Sequence, residues 1–177
     1  QGAVFYICGE GFAGLSRRVK AWSIARRVPL DNVPFFISRT AASFCDPESV
    51  LAVEEAIAVL VEQHGVVPEL IQIDTLSRNF APGDENNTQD MALFVQALDR
   101  LRNRWGCTVM VIHHSGHADK SRGRGSMVLK GALDWEYKFS RDEKDATVRM
   151  ECTKSKDHDR PTPMQFRVST VELGAVD

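Results

Sequence analysis

The chain has no run near the ~18 consecutive apolar residues that span a bilayer, and no signal-peptide pattern opens it. Its cysteines are few (Cys8, Cys45, Cys107, Cys152) and none sits in a CxxC pair, which argues against a zinc site or a disulfide framework. Three of them lie in or beside apolar runs, as reduced, buried thiols of a cytoplasmic protein would. There is no basic excess: 22 Lys and Arg face 24 Asp and Glu, for a net charge of -2. That excludes a generally basic nucleic-acid coat and leaves room for local basic patches. Repeats, low-complexity tracts and linkers are missing, and so is any glycine-rich Gly-Lys-Ser/Thr segment. What remains, 177 residues of which 43% are apolar, is enough for one well-buried core and short for two domains.

Three short apolar runs each end in residues able to do phosphate chemistry. Val4 to Cys8 leads into Gly9-Glu10, Leu70 to Ile73 into Asp74-Thr75, and Thr108 to Ile112 into His113-His114. Such runs, separated by amphipathic stretches, read as buried parallel strands of an α/β sheet. Ligands of these sheets bind beyond the carboxyl ends of the strands, so the three chemistries should converge on one edge.

Between the runs the elements are legible. Leu15, Val19, Trp22 and Ile24 form an apolar stripe at helical spacing, with Arg17, Arg18, Lys20, Arg26 and Arg27 mostly off it. Residues 33–37 read as a strand whose Pro34 suits an edge or a start. Asp46-Pro47 opens a helix that Gly65 closes, and a second helix runs from Gln89 to Trp105, closed by Gly106. The polar, turn-rich stretch from Ser77 to Thr88 reads as a mobile loop above the site. Gly116 to Gly125 is a basic, glycine-bearing loop. Alternation in 133–139, 147–152 and 164–171 suggests antiparallel strands added to the parallel core.

In this order the motifs resemble the RecA-like ATPases, and are most similar to the plasmid RepA-type hexameric replicative helicases with their phage and bacterial relatives. The stretch that carries the resemblance runs from Ile73-Asp74-Thr75-Leu76 through Trp105-Gly106-Cys107-Thr108 and Val111-Ile112-His113-His114-Ser115 to Arg124-Gly125-Ser126. The family's phosphate loop has no counterpart here. The expectation is therefore one RecA-like core over 1–177, a mostly parallel sheet flanked by helices with antiparallel C-terminal strands. A strand and a phosphate loop would precede Gln1, and these residues alone would bind ATP weakly.

The resemblance implies roles. Asp74, with the hydroxyl of Thr75, would hold Mg²⁺ between the β- and γ-phosphates of ATP. Glu10 would polarise the attacking water. His114 would sense the γ-phosphate, with His113 beside it in the nucleotide site. Arg124 would reach a neighbour's ATP as an arginine finger, while Lys120 and Arg122 could touch the DNA backbone. Lys154 and Lys156 would serve the adjacent subunit's nucleotide. The implied partners are DNA, in single-stranded form, and other copies of the chain in a hexameric ring, with no membrane. Bland alternatives stay open: a capped turn at Asp74, a solvated turn at Glu10, a core histidine at His113, an exposed hairpin at Lys154. So do an interaction or loader module without a phosphate loop, a DNA-repair or recombination ATPase, and a metal-dependent hydrolase using Asp74, His113, His114 and His117.

Overall fold

A computed structural model describes residues 2–114, 127–141 and 146–174. Seven strands and four α-helices follow in the order β1 (Ala3–Cys8), α1 (Phe12–Arg26), β2 (Phe35–Ile37), α2 (Pro47–His64), β3 (Pro68–Asp74), α3 (Thr88–Trp105), β4 (Thr108–Ile112), α4 (Met127–Ala132), β5 (Trp135–Arg141), β6 (Thr147–Ser155) and β7 (Met164–Arg167). A 3₁₀ turn, Ser77–Asn79, follows β3. The fold is α/β, with β1 to β4 forming a parallel sheet in the order β2-β1-β3-β4.

Two helices begin and end where side-chain chemistry requires. Asp46 accepts a hydrogen bond from the Glu48 N–H and Pro47 supplies a preset first turn. Asn87 accepts from the N–H groups of Gln89 and Asp90 to start α3. Gly65 and Gly106, at φ 65° and 61°, take the left-handed conformation that closes each helix.

Alternation along the strands divides the sheet into two faces. Ala3, Phe5, Ile7, Ile71 and Ile73 belong to the large core with Phe44, Val50, Ile57, Met91, Phe94 and Leu101. Tyr6 and Cys8 pack on the other face with Leu15 of α1, bordered by Val19, Phe35 and Ile37. Helix α1 thus lies on one face, whereas α2 and α3 lie on the other. The chain leaves β1 for β2 on one side and later returns to β3 on the other. That places a topological switch point, and so a crevice, at the carboxyl ends of β1 and β3.

The core also holds one charge. Glu54 of α2 is 1% exposed, and Arg100 reaches it through Nε at 2.6 Å and Nη2 at 2.8 Å. Arg104, one turn further along α3, adds Nη1 at 2.8 Å. Burial alone would push this carboxyl up; the two guanidiniums outweigh that and hold it below the usual carboxylate range.

Several expectations need correction. The α1 stripe buries Leu15 and half-buries Val19, but Trp22 and Ile24 are exposed, because α1 covers only β1 and β2. Strand β2 begins at Phe35, after Pro34 has used its carbonyl to accept from Val4. The stretch after Ser77 is no simple surface loop: Asn79 and Phe80 are buried, with the Phe80 ring 5.1 Å from that of Phe94. Helix α4 had no clear signal, and it delays the next strand to Trp135. The antiparallel strands form their own sheet, β5-β6-β7, rather than extending the parallel one among the described residues. Its alternation is as expected: the register aligns Tyr137 with Cys152, Phe139 with Met150 and Met150 with Met164 on one apolar face. All four cysteines are free thiols, three buried and Cys45 half-buried.

Candidate active site

The switch-point crevice is where the sequence motifs meet. Strand β1 delivers Glu10 two residues beyond its end, β3 ends in Asp74 itself, and β4 delivers His113 and His114. Cys8 and Asp74 are register partners, the Gly9 N–H donates to the Asp74 carbonyl, and the Leu76 N–H donates to the Ile112 carbonyl at 2.8 Å. These backbone bonds fix the three strand ends relative to one another.

Glu10 lies between two nitrogen groups. Its Oε2 accepts from Arg78 Nε at 3.0 Å, and its Oε1 is 3.7 Å from His114 Nε2. The Arg78 hydrogen bond is the main reason that this carboxyl lies below the usual carboxylate range; partial burial opposes it and His114 assists. At 38% exposure the Glu10 side chain remains open to water. His113 is half-buried and engaged in an interaction of its own.

Asp74 is held from the same sheet face. Tyr6, two residues before Cys8 and therefore on its side of the strand, donates its hydroxyl to Asp74 Oδ2. Burial raises the Tyr6 phenol well above its ordinary range, and the Asp74 hydrogen bond and charge push the same way, so it stays a donor. Thr75 is 2% exposed, and its Oγ1 is buried without a hydrogen-bond partner. Behind it, Asn79 donates to the Thr75 carbonyl at 2.8 Å and accepts from the Ala42 N–H at 2.9 Å.

Among the described residues no three His, Cys, Asp or Glu side chains form a metal cage. His117, the third histidine of the metal-hydrolase alternative, lies outside those residues. One half-buried carboxylate with an oxygen to spare suits Mg²⁺, which is usually shared between one or two carboxylates, phosphate oxygens and water. Asp74 fits that part, with the unpartnered Thr75 hydroxyl on the next residue.

The remaining candidates are elsewhere. Lys154 Nζ donates to the carbonyls of Lys130 and Gly131, at 2.5 and 3.0 Å, against the carboxyl end of α4. Lys156 Nζ pairs with Asp134 at 3.4 Å. Both cations are thus engaged within the chain. Arg124, Lys120 and Arg122 lie outside the described residues. Sequence reasoning missed Tyr6, Arg78 and Asn79. Two-residue periodicity could have found Tyr6; nothing local marks the other two.

Gly9 shows how closely the strand ends are fitted. A Cβ there would lie 2.5 Å from Arg78 Cβ, 2.9 Å from Asn79 Nδ2 and 3.0 Å from the Asp74 carbonyl oxygen. Gly9→Ala should therefore displace the turn carrying Arg78 and cost about 1–3 kcal/mol, as overpacking does. A urea melt measures this, and an unchanged midpoint would contradict the tight approach.

A parallel α/β sheet with acidic and imidazole groups gathered at its switch point has the form of a nucleotide-dependent ATPase. The family model described as AAA domain matches residues 1–120, and the chain belongs to that family. The family supports an ATPase-like domain of the phosphate-loop or RecA-like kind, using nucleotide. A search of curated proteins gave no match. Among the described residues, no helix is long and apolar enough to cross a membrane.

Proposed function

We propose that the protein is the motor of a DNA-associated hexameric helicase of the RepA-like kind, acting in replication in the cytoplasm. It hydrolyses ATP with Mg²⁺ and couples turnover to movement on single-stranded DNA. The observation that carries the catalytic part is the position of Glu10, open to water at the crevice mouth, 3.7 Å from His114 and one residue beyond the backbone bond to Asp74.

Mg²⁺, when bound, neutralises charge between the β- and γ-phosphates. Asp74 would hold it, with its carboxylate oriented by Tyr6. Glu10 accepts a proton from water as the water oxygen bonds to the γ-phosphorus. The bond from that phosphorus to the ADP oxygen breaks, and ADP leaves with its electron pair. His114 can donate one hydrogen bond to the γ-phosphate and so report its presence to the basic sequence that follows it.

Assembly is tested by subunit mixing. Arg124 acts in trans in this reading, so Arg124→Ala should cost ~10³-fold or more in turnover by the ring while leaving the ATP affinity of an isolated subunit intact. Mixed with a Glu10→Gln subunit, it should regain hydrolysis, because each supplies what its neighbour lacks. Absence of complementation at every ratio, in rings shown to exchange subunits, would remove Arg124 and bring Lys154 and Lys156 forward.

A further inference from the structure

Arg78 belongs to none of the motifs, yet it makes the shortest contact to the Glu10 carboxylate. The contact uses one edge of the guanidinium, Nε at 3.0 Å. Among the described residues neither Nη1 nor Nη2 has an ion-pair partner, and the side chain is 62% exposed at the crevice mouth. A carboxylate paired with a guanidinium is a poor proton acceptor. Glu10 is thus held in its least reactive form by a residue whose free edge faces outward. Phosphate is the natural competitor for that residue, since an arginine fork binds two phosphate oxygens at once. His114 lies farther from Glu10, at 3.7 Å.

We infer that Arg78 is a two-position latch: it holds Glu10 in the nucleotide-free state and passes to the terminal phosphate of a bound nucleoside triphosphate, freeing Glu10 to activate water. This rests on Glu10 being the base. Arginine is always charged, so while Glu10 is ionised the latch responds to phosphate. A diphosphate lacks the terminal group and leaves the latch closed.

The test measures affinity for a non-hydrolysable triphosphate and for ADP in four forms of the protein: wild type, Arg78→Ala, Glu10→Gln and the double variant. Arg78→Ala should lose ~10-fold or more of the triphosphate preference, in line with a charged hydrogen bond, with ADP affinity unchanged. Glu10→Gln should tighten triphosphate binding several-fold, because a neutral amide competes poorly for Arg78, and the gain should vanish in the double variant. An equal gain in both backgrounds would mean that only the loss of the Glu10 charge matters, and the latch would fall. An unchanged preference in Arg78→Ala would overturn it as well. Wild-type hydrolysis by Glu10→Gln is a different failure: it removes the base assignment itself, and the latch with it.

Discussion

Glu10→Gln should lower ATP hydrolysis by ~10²–10⁴-fold while nucleotide still binds, the range expected when a positioned base is lost. The amide keeps the shape of the side chain but cannot take a proton. Because Arg78 holds the Glu10 carboxyl below the usual carboxylate range, the free enzyme should keep its base ionised as the pH falls toward that range. The acid limb of kcat/KM should accordingly lie lower than an unpaired glutamate would place it. Asp74→Asn should behave differently: its defect should appear as a higher Mg²⁺ requirement. Single-turnover hydrolysis, with nucleotide binding measured in parallel, separates the two. Hydrolysis by Glu10→Gln at the wild-type rate would leave Glu10 as a solvated turn residue.

The second large effect concerns stability and is asymmetric. Removing both arginines, in Arg100→Ala with Arg104→Ala, leaves Glu54 buried at 1% exposure with no countercharge. That should cost about 3–5 kcal/mol, as breaking a buried pair does. Removing the acid instead leaves two guanidiniums that are 54% and 40% exposed and able to turn to water. Glu54→Met should therefore be near neutral, since an apolar group of similar size replaces a desolvated charge.

The pH dependence has a definite sign. The folded Glu54 carboxyl titrates below its unfolded value, so its contribution is full above the unfolded value and is lost as the pH falls through the folded one. In the double arginine variant only burial acts on Glu54, and it raises the value. The gap in stability between wild type and variant should then narrow on acidification. Urea melts at several pH values measure all of this; a gap that is constant with pH would contradict the ion-pair account.

The largest part of the fold was legible because local chemistry dictates it. Asp46-Pro47, Gly65 and Gly106 mark helix ends through capping and backbone conformation, which depend on a few adjacent residues. The β-branched runs ending in Glu10, Asp74 and His113-His114 read as parallel strands, since burial on both faces leaves an uninterrupted apolar signature. Position at strand ends also brought the main candidates to one edge. Trp22 and Ile24 carry the periodicity of a buried stripe, but whether anything covers them depends on how far the sheet extends beneath α1. The stretch after Ser77 looked mobile because it is polar, yet Phe80 finds Phe94 from a helix begun eight residues later.

At the site the same division holds. Which residue types end which strands is legible from the sequence, because strand ends and turns are set by short-range patterns. That Tyr6 restrains Asp74, that Thr75 is buried and that Lys154 is spent on the end of α4 emerges from the packed structure. It alone brought Arg78 to Glu10 across 68 residues of chain, because such a pairing is set by the order of strands in the sheet and leaves no periodic trace in the sequence.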